Sequence, residues 1–284
     1  MHNANGLKTA LLLGLLSAIL IIGGSAIAGR QGIYIGLAIA VATNFFSYFF
    51  SDKIALASSG AVRANETQNP EVFWRLAKIV KPLCDRMGLP MPKLWVTPER
   101  APNAFATGRN PAHASVAVTA GLLDLMEDRE IEGVLAHELG HVKNRDILTS
   151  SIAATIASAI TWAAQMAFFF GGRRDDDEGG NPIAALLMML LAPIAAGLIQ
   201  MAISRTREFS ADAASAQYTG NPDELVSALR KLEAYSKRIP MDVSPSMSHM
   251  YIIQPLSGKS LASLFSTHPP TEERIARLLS LRRS

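Results

Sequence analysis

Residues 128–172 read DREIEGVLAHELGHVKNRDILTSSIAATIASAITWAAQMAFFFGG. The first part of this stretch combines charged residues with apolar residues at helical spacing, which predicts a helix from Asp128 through Asn144. Residues 147–172 carry no charge, and a helix of about 20 apolar residues can cross the ~30 Å hydrocarbon core of a membrane. The pattern therefore predicts a polar helix that runs directly into a membrane span.

Four uncharged apolar blocks of this kind occur in the chain, and they form two pairs. Gly29, Arg30 and Gln31 mark the junction of the first two blocks, so we expect a tight helical hairpin. The charged connector 173–178 separates the other two and predicts a second hairpin. The predicted spans are residues 9–29, 31–51, 147–172 and 179–204. The predicted organisation is an N-terminal membrane hairpin at 1–51, a polar piece at 52–146, a second membrane hairpin at 147–204 and a polar piece at 205–284.

The composition agrees with a chain that is largely in contact with lipid. Hydrophobic residues make up 49% of the 284 residues and charged residues only 18%, and the mean hydropathy is +0.20. This excludes a disordered chain, which needs low hydrophobicity and high charge. The single cysteine excludes an internal disulfide. A net charge of +3 without a Lys/Arg cluster gives no indication of a nucleic-acid partner.

The Lys and Arg residues near the predicted spans are distributed unequally. Cytoplasmic flanks of membrane proteins carry the excess of these residues. The side that holds both termini and both polar pieces has Lys8, Lys53, Arg63, Lys143, Arg145, Arg205 and Arg207, and the other side has Arg30, Arg173 and Arg174. We therefore expect the termini and the polar pieces to lie in the cytoplasm.

The two polar pieces are expected to fold together around a small sheet. A helical pattern begins at Asn69-Pro70 and ends before Gly88, as expected for a cap and a first helical residue followed by a glycine stop. Three short segments after it are bounded by Pro, Gly or Asn, which is typical of strands. They are residues 93–97, 103–107 and 114–119.

The sharpest chemical signal is the pentapeptide His137-Glu138-Leu139-Gly140-His141. Helical positions four apart lie on one face, so both imidazoles can bind a single Zn2+ while Glu138 faces a water beside it. Zinc lowers the pKa of such a water towards about 7, and a carboxylate can take the proton as the water attacks a peptide carbonyl. With only 6 His in the chain, chance is a poor explanation of this spacing.

A catalytic zinc needs a third protein ligand and an open position, and no further His follows at the spacing of the HExxHxxGxxH class. Glu208 is the best candidate, because the two spans between His141 and Glu208 return the chain to the same side. Asp212, one helical turn later, could accept the other N–H of a ligand imidazole. Since residue 147 follows His141 by about 9 Å of helix, the metal should lie near the cytoplasmic membrane surface. A solvated acidic face is the alternative for Glu208 and Asp212.

Four motifs resemble those of a known family. They are HELGH at 137–141, EFSAD at 208–212, PNAFATG at 102–108 and THPP at 267–270. The chain is similar, over nearly its whole length, to the membrane-bound zinc metalloproteases related to the CAAX prenyl protease. The resemblance implies a mostly α membrane protein with four transmembrane helices in two hairpins and a gluzincin-like α+β cytoplasmic catalytic domain with a small sheet. It implies Glu138 as general base, one Zn2+ per chain on His137, His141 and Glu208, and Asp212 beside these ligands.

The same resemblance implies a biological setting. It places the chain in a bacterial inner membrane as a multi-pass protein with its catalytic part in the cytoplasm. It implies a role in the quality control of misfolded or damaged membrane proteins. The expected partners are membrane-protein or unfolded polypeptide substrates, membrane lipid and other quality-control proteases, with no nucleic acid.

Two residues near the C-terminus are assigned by the resemblance alone. His268 and Arg274 correspond to a histidine and an arginine that lie near the zinc in the family. Either could donate to the oxyanion that forms during peptide hydrolysis. The alternative for His268 is that it caps the helix that begins near Pro270.

The resemblance also assigns a substrate strand. Asn103, Ala104 and Phe105 lie on the segment that would form an edge strand, to which an extended substrate adds as an extra strand. Main-chain hydrogen bonds of this kind do not depend on the substrate sequence, so broad substrate choice would follow. An ordinary core strand is the alternative for this segment.

Two other classes of protein compete with a protease. A non-catalytic membrane adaptor would use a structural zinc to hold the two polar pieces together, and it would need four protein ligands. A small transporter is disfavoured, because the four spans contain none of the ionisable residues that usually mark an ion path. Cleavage inside the bilayer is also disfavoured, since the motif helix lies in a charged region before the third block.

Overall fold

The structure, a computed structural model, describes residues 2–152, 205–238, 251–252 and 269–283. The third predicted span beyond residue 152, the fourth predicted span, the connector 173–178 and His268 lie outside the described residues. The helices are α1 (His2–Ser58), α2 (Pro70–Met87), α3 (Ala120–Leu125), α4 (Asp128–Lys143), α5 (Arg205–Thr219), α6 (Pro222–Arg238) and α7 (Thr271–Ser280), with 3-10 turns at Pro111–His113 and Leu281–Arg283. The strands are β1 (Val62–Arg63), β2 (Lys93–Thr97), β3 (Ala104–Thr107) and β4 (Ser115–Thr119).

The N-terminal helix α1 folds back on itself at Gly29, whose φ is 55°. Glycine adopts this left-handed conformation without the steric cost of a Cβ. Asn44 Nδ2 donates to Ser17 Oγ at 2.9 Å, although a straight helix would separate these residues by about 40 Å. The second arm, Gly29–Ser58, is the described helix that is long and apolar enough to cross a membrane, and the first arm contains a shorter apolar helix, Thr9–Ile22. The count of four spans stays a prediction.

The sheet has the strand order β1-β2-β4-β3, in which β2 and β4 are parallel and the other neighbours are antiparallel. β4 is buried along its whole length, whereas β3 is an edge strand of the sheet as far as the structure describes it. The three predicted strands are confirmed to within one residue at each end. β1 was not predicted, because two residues with exposed side chains give no readable alternation.

Helix α4 lies in the main hydrophobic core and is fixed at its N-terminus by a capping box. Glu127 N–H donates to Glu130 Oε2 at 2.9 Å, which satisfies a donor that the helix itself leaves free. Glu130 is buried and also accepts from Ser227 Oγ and Lys231 Nζ, both at 2.6 Å, so it ties α4 to α6. The core around α4 includes Leu76, Val80, Leu83, Val116, Val118, Leu225 and Leu229.

Helices α4 and α5 approach each other closely, because small residues line their contact. Ser215 Oγ donates to Gly133 O at 2.7 Å across the two helices. A Cβ on Gly140 would lie only 3.2 Å from Ala211 Cα. This close approach places the side chains of α5 directly against the motif face of α4.

The predicted direct passage from α4 into the third apolar block is wrong. α4 ends at Lys143 with Asn144 as its C-cap, and Arg145 has a φ of 58°, which no helix continues through. A new helical segment begins at residue 147. The break is local and involves only residues 144–146. The apolar pattern typical of a helix continues on both sides of it, so the spacing of the residues does not reveal the interruption.

Candidate metal centre

Three predicted ligands are brought together between α4 and α5. His137 and His141 lie one turn apart on α4, and Glu208 faces them from the first turns of α5. His137 Nε2 lies 3.7 Å from Glu208 Oε2, and His141 Nε2 lies 3.4 Å from Glu208 Oε1. The three ligand atoms lie within 4.8 Å of one another. The structure therefore places one atom of each side chain around a common point.

These donors fit a zinc ion. Ligand bonds of about 2.0–2.1 Å in a tetrahedral site separate neighbouring ligand atoms by about 3.3 Å, close to the 3.4 and 3.7 Å found here. Both imidazoles offer Nε2, while their Nδ1 atoms face other carboxylates. Among the described residues, two imidazoles and one carboxylate form a three-ligand set, which is the number that catalytic zinc sites use together with an open position.

Behind His137 lies a buried chain of polar contacts. Asp212 Oδ1 accepts from His137 Nδ1 at 2.9 Å, and Arg274 binds the same aspartate through two hydrogen bonds of 2.9 and 2.7 Å. Burial alone would raise the pKa of Asp212, but Arg274 and His137 outweigh it and lower this pKa to about 2. Arg274 also donates to Ile252 O at 2.6 Å. Its contacts fit an orienting role, and its direct support of the oxyanion stays a prediction, as does the role of His268.

Behind His141 lies an aspartate that the sequence analysis missed. Asp146 Oδ2 lies 3.1 Å from His141 Nδ1, and Arg207 Nη1 lies 3.6 Å from Asp146 Oδ1. The expected continuous helix hid this residue, because position i+5 lies about 140° around a helix from position i. The acidic residue that directly precedes an apolar block was the available signal.

Glu138 points towards the edge strand β3. Its side chain is buried, and Oε2 accepts a hydrogen bond from Ala106 N at 2.9 Å. Burial raises the pKa of Glu138 to about 7, against the opposing effect of His141 and of the Ala106 N–H. A carboxyl group with such a pKa can both take and release a proton near neutral pH.

Charged side chains crowd the centre, and their balance favours a divalent cation. The group consists of four carboxylates, Glu138, Asp146, Glu208 and Asp212, and two guanidiniums, Arg207 and Arg274. When all four carboxylates are ionised and both imidazoles are neutral, as metal ligands are, four negative charges against two positive ones leave a net charge of −2. A divalent ion would cancel this excess.

The two ligand imidazoles respond to this environment in opposite ways. Burial lowers the pKa of His137 more than Asp212 raises it. Burial would also lower the pKa of His141, but Glu208 and Asp146 outweigh it and raise this pKa to about 10. In the metal-free chain, a proton on His141 thus supplies part of the positive charge that a bound metal would otherwise provide.

The residues predicted to bind substrate, Asn103, Ala104 and Phe105, face different directions in the structure. Ala106 N–H faces the catalytic side through its contact with Glu138, and alternation in an antiparallel pair gives Ala104 the same direction. Asn103 is held by the fold, because its N–H donates to Thr119 Oγ1 and its Oδ1 accepts from Ile252 N. Phe105 is buried against Leu56 at the end of α1.

Comparisons with known proteins agree with one another. A model described as peptidase family M48 matches residues 70–282. The Protease HtpX homolog of Desulfatibacillum aliphaticivorans is 55% identical over 283 residues, covering 98% of this chain and 90% of the relative. That of Paraburkholderia phytofirmans is 50% identical, covering 99% and 98%. The crystal structure of S. mikatae Ste24p has a similar fold, with a TM-score of 0.52 at 20% identity, covering 96% of this chain and 64% of that one.

Proposed function

The chain belongs to peptidase family M48, and from this membership we propose that it is a zinc-dependent endopeptidase acting at the cytoplasmic face of a bacterial inner membrane. The resemblance to membrane-bound metalloproteases that the motifs indicate is confirmed by the comparisons. That the chain is a membrane metalloprotease follows from its family and relatives. The zinc, the cytoplasmic orientation and the substrates are part of the proposal.

One observation carries the proposal. His137, His141 and Glu208 converge on a common point, and Glu138 lies beside them with its carboxylate against an edge strand. Metal ligands, a base and a strand that can bind an extended peptide therefore lie within one centre. A structural zinc site needs the first of these features only.

The residues divide the chemistry of peptide hydrolysis among themselves. A bound zinc ion supplies Lewis acidity, which polarises the peptide carbonyl and lowers the pKa of the attacking water. Glu138, whose Oε2 is held by the Ala106 N–H, is placed to take the proton of that water, and its raised pKa lets it hold the proton and pass it to the leaving amine. Asp212 keeps the proton of His137 on Nδ1, so that Nε2 stays free as a ligand.

The edge strand supports a preference for unfolded chains. A substrate that adds to β3 binds through main-chain groups, which every polypeptide offers once it is extended. In folded proteins most main-chain groups are already paired within the fold. We therefore propose misfolded or damaged membrane proteins as substrates and quality control as the role, with lipid and other quality-control proteases as neighbours.

The test is cleavage of an unfolded model protein by the detergent-purified full chain, after the metal is stripped and zinc is restored. We expect zinc-dependent fragments, and we expect Glu138→Gln to reduce the rate by about 10²–10⁴-fold while zinc still binds. Asp124→Asn is a suitable control, because Asp124 forms an exposed ion pair with Arg100. Unchanged turnover in Glu138→Gln would exclude the assigned base. Tight zinc binding without cleavage of any unfolded substrate would favour the adaptor instead.

A further inference from the structure

Each of the two ligand imidazoles is backed by an aspartate. His137 Nδ1 faces Asp212 at 2.9 Å, and His141 Nδ1 faces Asp146 at 3.1 Å. The two aspartate side chains are equally buried, each with 4% of its side chain exposed. Asp212 belongs to the EFSAD motif at 208–212, whereas Asp146 lies outside the four motifs quoted above.

The break after α4 is what brings Asp146 to His141. With Arg145 in the left-handed region, the chain turns back, and Asp146 N–H donates to His141 O at 2.9 Å. Asp146 O in turn accepts from Ser150 N at 3.2 Å, so the residue begins the next helical segment. Its backbone is held from both sides, and its carboxylate is directed at the ring of His141 as a result.

Arg207 lies beside Asp146, as Arg274 lies beside Asp212. The side chain of Arg207 is 12% exposed, and Nη1 lies 3.6 Å from Asp146 Oδ1. Within the described residues, neither Nη1 nor Nη2 of Arg207 has a hydrogen-bond partner. A buried guanidinium is costly unless a carboxylate compensates it. Asp146 is the closest such group, and Glu208 adds a second negative charge nearby.

We propose that Asp146 and Arg207 form a positioning pair that holds the His141 imidazole with Nε2 directed at the metal. The inference rests on the proposed zinc site, and it concerns retention of the metal rather than the cleavage step. Asp146 accepts the Nδ1 proton and fixes the tautomer and rotation of the ring, and Arg207 fixes the carboxylate. Partners of this kind affect metal affinity by about 10–100-fold.

The position of the pair in the chain gives it a second consequence. Asp146 directly precedes the predicted second membrane hairpin, and Arg207 follows it by three residues. The pair therefore joins the two ends of segment 147–204 beneath His141. The helical segment that begins at residue 147 also contacts α1 through Thr149 and Thr9, whose Oγ1 atoms are 3.0 Å apart.

The experiment measures the zinc dissociation constant of the full chain in detergent, by competition with a chelator, and the visible spectrum of the cobalt-loaded chain. We expect Asp146→Ala to weaken zinc binding by about 10–100-fold and to change the cobalt spectrum. Asp146→Asn should lose less, because its amide oxygen still accepts from Nδ1. Arg207→Met should act in the same direction, and the double variant should lose less than the product of the single losses.

The exposed pair Arg100–Asp124 gives matched controls. Arg100→Met and Asp124→Asn should leave both readouts unchanged. Melting of the metal-free chains shows whether each variant folds, and Asp146→Glu and Arg207→Lys replace any variant that does not. The proposed positioning role would be overturned if folded Asp146 and Arg207 variants had the zinc affinity and the cobalt spectrum of the wild type. Failure of the wild type to cleave would overturn only the proposed function.

Discussion

At the scale of single residues, the protonation of His141 should make metal binding at the proposed zinc site depend on pH. Its pKa of about 10 means that the metal-free ring carries a proton at pH 7, and zinc must displace it. Zinc affinity should therefore rise with pH by about tenfold per unit and level off near pH 10. Calorimetry in buffers of different ionisation enthalpy should find about one proton released per zinc at pH 7, plus a fraction from Glu138. Affinity that is constant from pH 6 to 9 would contradict this.

Arg274 offers a second prediction at this scale. It is 1% exposed and compensates the buried charge of Asp212. Arg274→Met removes the buried counter-charge of that carboxylate and leaves it, among the described residues, only the hydrogen bond from His137 Nδ1, and we expect a loss of about 3–5 kcal/mol in stability. Chemical unfolding of the metal-free chain in detergent checks it. Arg282→Met is the control, because the ion pair of Arg282 with Asp223 is exposed, and equal stability of the two variants would argue against a compensating role of Arg274.

At the scale of elements, the spacing of α4 and α5 sets the geometry of the three ligands. A Cβ on Gly140 would meet Ala211 Cα and Ala214 Cβ at 3.2 Å, so Gly140→Ala should push the helices apart. We expect a cost of about 1–3 kcal/mol and weaker zinc binding with all ligands intact. Gly14→Ala in α1 meets nothing within 4 Å and should be neutral or stabilising. A Gly140→Ala chain that matches this control in both properties would contradict the tight contact.

The elements also show what the sequence can predict. Residue type, helical spacing and the even number of predicted spans between His141 and Glu208 point to His137, His141 and Glu208 as ligands. The contact of Asp146 with His141 is not predicted, because it depends on a single residue in the left-handed conformation, Arg145, that redirects the chain. The hydrogen bond from Ala106 N to Glu138 is not predicted either. The direction of each N–H group in an edge strand depends on the register of β3 with β4. Local backbone conformation and register leave no periodic signal in the sequence.

At the scale of the whole molecule, the arrangement in the membrane can be tested with single cysteines. Cys84 is 1% exposed, and burial raises its pKa to about 11, so the natural chain should not react with a maleimide. Arg30 at the turn of α1 and Glu66 in the polar part are both exposed. An impermeant maleimide added to intact cells should label Arg30→Cys and spare Glu66→Cys until the membrane is opened. Labelling of both from one side would contradict the predicted orientation.

The separation of the ligands along the chain has a consequence for synthesis. His137 and His141 lie on α4, whereas Glu208 is contributed by α5 after the whole segment 147–204. A growing chain thus has two imidazoles and the base long before it has the carboxylate, and the arginine behind Asp212 comes later still. Because the proposed zinc site lacks its third ligand until residue 208 has been made, we expect the nascent chain to be inactive up to that point. The order of synthesis would thus delay proteolysis until segment 147–204 is complete.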